Sequence, residues 1–168
     1  MTIPSALATF AATAAVGPVR CGAQLGEPAR LLGPPHSIGR VGKRRRWPHL
    51  FAFGDLELCV CRCRLVTSVC VQTWRDTIDL PGAPGALAGR PTLTELTATL
   101  AAAGVAPAPL PHRDPPGQLT LQVPSSGVTL VFRTRPDADP VLESAGAWAP
   151  PHRCAPLAGG AMDDGFGA

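Results

Sequence analysis

The sequence predicts an α+β fold: two tandem helix–three-strand units forming one antiparallel sheet, helices packed on one face, and a disordered C-terminal tail. Three observations carry this. Short runs alternate in polarity, as in LELCVC (56–61), LTLQV (119–123) and VTLVF (128–132), the period of a half-buried strand. Thr92 and Glu95 form a T-x-x-E capping box ahead of Leu93, Leu96 and Leu100, which repeat as one helical stripe. The order of elements also recurs, because each half reads as a helix stopped by glycine, a proline-bearing loop and three strands.

In chain order, 5–15 reads as a short helix with Ser5 as N-cap. Residues 24–32 read as a second helix, stopped by Gly33 with Pro34 and Pro35 beyond it. HSIGRVGKRRR (36–46) reads as a polar loop, 47–53 as a strand, and Gly54-Asp55 as its turn. The second and third strands follow at 56–61 and 65–74, and 75–91 is a linker. The helix at 92–103 ends at Gly104, and 106–117 is a second Pro-rich loop. Strands at 118–123, 128–133 and 141–148 complete the second half, with turns at 124–127 and 135–140. The expected organisation is one domain over 1–148, with halves at about 5–80 and 91–148, and a tail over 149–168.

The 20 prolines and 18 glycines cluster in the loops and the tail, so a 45% hydrophobic composition still leaves ordered segments that can build a core. A net charge of +3 is mild for a dedicated nucleic-acid binder. No apolar run reaches the ~18 residues of a membrane span, and no basic stretch precedes Arg20, so a cytoplasmic protein without a membrane partner is expected. Six cysteines in a reducing compartment are then thiols.

The stretch VGPVRCGAQLGEPARLLGPP…FAFGDLELCVC…VTSVCVQ resembles small uncharacterised actinobacterial proteins with an LLGPP-like stop and an F/Y-GDLEL hairpin. More loosely, the order of elements is similar to the helix-then-three-strands repeat of beta-lactamase inhibitory proteins and of small outer-membrane assembly lipoproteins. The resemblance implies a scaffold and a habit of binding proteins, without a target. The aromatic-rich surface of the inhibitors is mostly missing from this sequence, and so is a lipoprotein signal.

Pairing the second and third strands through a turn near Cys63-Arg64 sets residue 58 opposite 69 and 60 opposite 67. Leu56, Leu58, Val60, Leu65, Val69 and Val71 then face the core. Asp55, Glu57, Cys59, Cys61, Ser68, Cys70, Gln72 and Trp74 share the open face. In the second half Leu119, Leu121, Val123, Val128, Leu130 and Phe132 face inward.

No nucleophile elbow, phosphate loop, dinucleotide fingerprint or paired-histidine motif is present, so neither an enzyme nor a cofactor is expected. The expected function is a non-enzymatic protein-interaction module, immunity- or inhibitor-like, binding an unknown protein partner through the open sheet face. Its contact residues are Glu57, Ser68, Gln72, Trp74, Gln118, Thr120, Gln122 and Arg133, with Trp74 the aromatic anchor. An open face or exposed edge strand also makes homodimerisation easy. The alternative is nucleic-acid or polyanion binding through Lys43, Arg44, Arg45, Arg46 and Trp47. A weaker alternative is a metal on Cys59, Cys61 and Cys70, disfavoured because C-x-C in an extended strand separates its Cβ atoms by about 6–7 Å. Cys21 and Cys154 have no partner readable from sequence.

Overall fold

The computed structural model describes residues 2–41, 47–110, 114–151 and 153–154. The first helix, α1 (Ile3–Thr13), begins two residues earlier than expected. Thr2 is its N-cap, and Ser5 occupies the third helical position and completes the capping box. Pro4 is tolerated because the first turn has no intrahelical use for its missing N–H. A two-residue hairpin, β1 (Ala15–Val16) with β2 (Val19–Arg20), precedes α2 (Gly26–Leu32), which stops at Gly33 as expected.

Part of the expected polar loop is instead an edge strand, β3 (Ser37–Arg40), paired with β4 (His49–Phe53). Its side chains are all exposed, so backbone pairing rather than an apolar pattern makes it a strand. Next come β5 (Leu56–Val60) and β6 (Val66–Gln72). The expected linker contains a small hairpin, β7 (Thr77–Ile78) with β8 (Leu87–Ala88). The capping box of α3 (Leu93–Ala102) forms between Thr92 and Glu95 as the sequence requires. Then follow β9 (Ala108–Pro109), β10 (Gln118–Gln122), β11 (Thr129–Arg135) and β12 (Ala138–Trp148). The last strand starts three residues earlier than expected, because Asp137 takes φ +56° and shortens the turn before it. Most of the expected tail, His152 and 155–168, lies outside the described residues.

The main sheet runs β3-β4-β5-β6-β12-β11-β10-β9 and is antiparallel throughout. Two four-stranded meanders, β3–β6 and β9–β12, thus meet through their last strands, β6 and β12, where three strands per half were expected. One face is the core. Phe51, Phe53, Leu56, Leu58, Val69, Val71, Leu130, Phe132 and Ala145 are buried there in one cluster with Ile3, Leu7 and Phe10 of α1 and Leu96 and Leu100 of α3. Leu58 stands opposite Val69, as the sequence reading requires, but a bulge after Cys59 sets Val60 opposite Val66 instead of residue 67. Val66 therefore takes the buried place expected of Leu65, which is half-buried and bridges to Gln24. Leu119 is also only half-buried, packed against the core rim. No helix among the described residues is long and apolar enough to cross a membrane.

The Gly54-Asp55 turn is pinned to the linker. Asp55 is buried, its carboxylate accepts the Asp79 backbone N–H at 2.8 Å, and Arg75 lies 3.5 Å away. Its own backbone N–H donates to Asp79 O at 2.7 Å. The expectation that Asp55 stands on the open face beside Glu57 is therefore corrected: the carboxylate serves the fold, held inward by a donor 24 residues away. Asp55→Ala strands the Asp79 N–H and is expected to cost about 2 kcal/mol in urea unfolding, as lost hydrogen bonds to a charged group do.

Candidate functional site

Directly opposed residues in an antiparallel ladder share a face. One row crosses all eight strands: Ser37, Ala52, Glu57, Cys70, Gly146, Thr129, Gln122 and Ala108. The parallel rows Gln72–Ser144–Val131–Thr120 and Cys59–Ser68–Trp148 flank it. This surface is opposite the face that packs against α1 and α3. Glu57, Ser68, Gln72, Gln118, Thr120, Gln122 and Arg133, read from two distant halves of the sequence, fall on it together.

Within that surface the structure separates what a partner can reach from what it cannot. Gln72 Nε2 donates to Glu57 at 2.8 Å, and both side chains are half-buried. Arg133 is exposed and pairs with Glu143. Ser68 and Thr120 are buried, so they are corrected from contact residues to supporting ones. Thr120 accepts from Gln118 Nε2 at 3.0 Å, and its backbone N–H is held by Asp114. Trp74 is exposed but lies outside the strand. Strand β6 ends at Gln72, and Thr73 is buried with its hydroxyl donating to Leu142 O. Trp74 therefore leaves the ladder and stands at its margin, 50% exposed, with the Arg75 guanidinium 4.9 Å from its ring centre.

At that margin a groove of about 530 Å³ opens between Gln72, Trp74, Arg90, Val131, Arg133 and Glu143. Arg135 and Asp139 also line it, giving three guanidinium groups to two carboxylates. The sequence reading missed the most exposed aromatic side chain on the face. Trp148 is 59% exposed, and its ring lies over Gly146, where an added Cβ would stand 2.5 Å from the indole. The signal was the small-residue run Ala145-Gly146-Ala147 before the tryptophan.

Cys70 is largely enclosed between β5 and β12, and its thiol is pushed up to about 12, first by burial and then by the Glu57 carboxylate and Cys59. An unfolded chain releases this proton near 9. The fold's stability is therefore complete below pH ~9 and is lost as pH rises toward the folded value. Relative to Cys70→Ala, the wild type is expected to lose stability at a slope approaching ~1.4 kcal/mol per pH unit above pH 9 in urea unfolding with reductant.

The metal alternative on Cys59, Cys61 and Cys70 is corrected. Cys61 lies beyond β5, in a turn where its carbonyl accepts from Arg64 N at 2.9 Å, so it does not continue the strand face. The turn folds Cys61 and Cys63 together, Sγ to Sγ 2.9 Å, and Cys154 joins Cys63 at 3.5 Å. Hydrogen bonding with Cys61, then burial and Cys154, push the Cys63 thiol up to about 11. The Cys21 thiol, with burial raising its pKa, donates to Ala147 O at 3.5 Å.

Lys43, Arg44, Arg45 and Arg46 lie outside the described residues. Trp47 is half-buried and stacked on His49, with ring centroids 4.1 Å apart, so one of its faces is already occupied. Compared with known proteins, the chain matches no family model, no curated protein and no solved structure.

Proposed function

We propose that this chain is a non-enzymatic protein-interaction module that binds a protein partner through the open face of its sheet. The observation that carries the reading is the row of opposed residues across eight strands, with the exposed Trp148 indole seated over Gly146 beside it. An exposed tryptophan on a rigid ladder offers large contact area at little entropic cost, the character of an interface anchor. Arg90 is paired with Asp76 and Arg133 with Glu143, so the groove offers a partner mixed polar contacts of both signs. Glu143, the carboxylate nearest Arg133, is held in an ion pair, an arrangement suited to positioning rather than to proton transfer.

The accompanying scaffold is a pair of helix–three-strand units, α2 with β4–β6 and α3 with β10–β12, each extended by one edge strand, β3 or β9. The symmetric meeting of β6 and β12 supports it. A cytoplasmic, immunity- or inhibitor-like role in an actinobacterial host follows from the same reading and from the sequence resemblance. The test is a nuclease-treated pull-down of the tagged chain from its native lysate, with oxidative footprinting of Trp74 and Trp148. A near-stoichiometric protein that survives nuclease and shields Trp148 is the expected result. Partners that vanish with nuclease would transfer the function to the arginine-rich segment at 43–46, and a captured protein that leaves Trp148 reactive would remove the open face from the reading.

A further inference from the structure

The three sulfurs of Cys61, Cys63 and Cys154 all lie within 4.8 Å of one another. Two come from the β5–β6 turn and the third from chain beyond β12, 91 residues from Cys63. Hydrogen bonds that involve no thiol hold both segments in place. The turn closes through Arg64 N donating to Cys61 O at 2.9 Å and Cys61 N donating to Leu65 O at 3.0 Å, with Arg64 at φ +65°. The segment beyond β12 is tied back by Ala149 N donating to Thr67 O at 2.8 Å and by Arg62 Nη2 donating to Cys154 O at 2.9 Å. Cys61 is buried and the other two are half-buried, so the cluster has an enclosed side and an open one.

We propose that Cys61, Cys63 and Cys154 form a three-thiolate clasp for one thiophilic d10 cation, Zn²⁺ or Cu⁺, that fastens the chain beyond β12 to the β5–β6 turn. Sulfurs around a tetrahedral zinc with Zn–S near 2.3 Å stand about 3.8 Å apart. The observed separations of 2.9 and 3.5 Å need only small side-chain rotations to reach that spacing. Thiolate sulfur selects Zn²⁺ and Cu⁺ over hard cations, so magnesium and calcium are not candidates. The objection that C-x-C is too wide for a shared metal holds for a strand and is lifted here by the turn.

The test is titration of the full reduced chain, separately with Zn²⁺ and with Cu⁺ against a chelator competitor, in wild type, Cys63→Ser, Cys154→Ser and Cys59→Ser. One equivalent of one of the two ions is expected to bind wild type and Cys59→Ser alike. Both triad variants should lose more than ~100-fold in affinity, beyond the ~10- to 100-fold cost of changes outside the ligand shell. Cys154 follows the last strand, so its variant keeps the sheet, which circular dichroism verifies. Binding should also slow tryptic cleavage after Arg153 in wild type and not in Cys154→Ser. Binding that survives both triad variants, or no binding by the wild type, would overturn the clasp. A chain isolated without reduction and with its free thiols alkylated that is 2 Da light before alkylation, with the bridge mapped within the triad, would overturn it in favour of a disulfide.

Discussion

Gly54→Ala is expected to cost about 4 kcal/mol, a large share of the ~5–15 kcal/mol that holds a domain together. Gly54 sits at the first central position of the two-residue turn between β4 and β5, where φ is +63°. Any L side chain there meets the left-handed penalty of ~1–2 kcal/mol. The larger part is steric. A Cβ at residue 54 would stand 2.4 Å from the carbonyl oxygen of Asp79, a backbone atom that cannot rotate away. That carbonyl accepts the Asp55 N–H, so relief of the clash also breaks the bond that pins the turn to the linker. Gly17 separates the two contributions. It has φ +56° but open space around its missing Cβ, so Gly17→Ala should cost only about 1 kcal/mol. Urea unfolding of both variants under reducing conditions reads the difference. Equal losses would show that the approach of Asp79 to the turn carries no stability.

Trp148→Ala is expected to weaken the partner complex by about 2 kcal/mol or more, roughly 30-fold, while leaving the unfolding midpoint nearly unchanged. The split follows from exposure: at 59% exposed, the indole contributes little to the core and much to the outer surface. Gly146→Ala is the sharper companion. The added methyl enters the space held by the Trp148 ring, which is the free end of a side chain and can swing outward. Stability should therefore change by less than ~1 kcal/mol, tryptophan fluorescence should shift as the ring leaves its seat, and binding should fall nearly as far as in Trp148→Ala. Calorimetric titration against the captured partner measures this. Full affinity in both variants would remove Trp148 from the interface. Unfolding in either would make its packing structural. Trp74, which the sequence marks as the anchor, should have the smaller effect, because it stands beside the ladder rather than on it.

The elements that could be read from sequence are those whose pattern is local. The Thr92–Glu95 box and the leucine stripe of α3 repeat within one helix, and the alternation of 56–60, 119–123 and 128–132 repeats within one strand. Each of these patterns reports burial on one side, so the two faces of the sheet and most of its core were legible before the strands were paired. Strand β3 was not, because it is held by ladder hydrogen bonds that leave no mark on its exposed side chains. The bulge after Cys59 was not legible either: Thr67 is the extra residue, and it exchanges the places of Leu65 and Val66 while the faces of 68–72 stay as the alternation of letters sets them.

The sequence by itself determined that this is an α+β chain, where α2 and α3 stop, and most of the residues of four strands that turn away from the core. Only the tertiary structure decided that β6 and β12 meet at the centre, and so that two distant sets of polar residues form one surface. It also decided that Cys61 belongs with Cys63 and Cys154 rather than with Cys59 and Cys70, and that Gly146 is a seat for Trp148. The reason is physical. Alternation and capping are satisfied within a few residues, whereas convergence of side chains depends on turns, bulges and pairings that join residues as far as 126 positions apart.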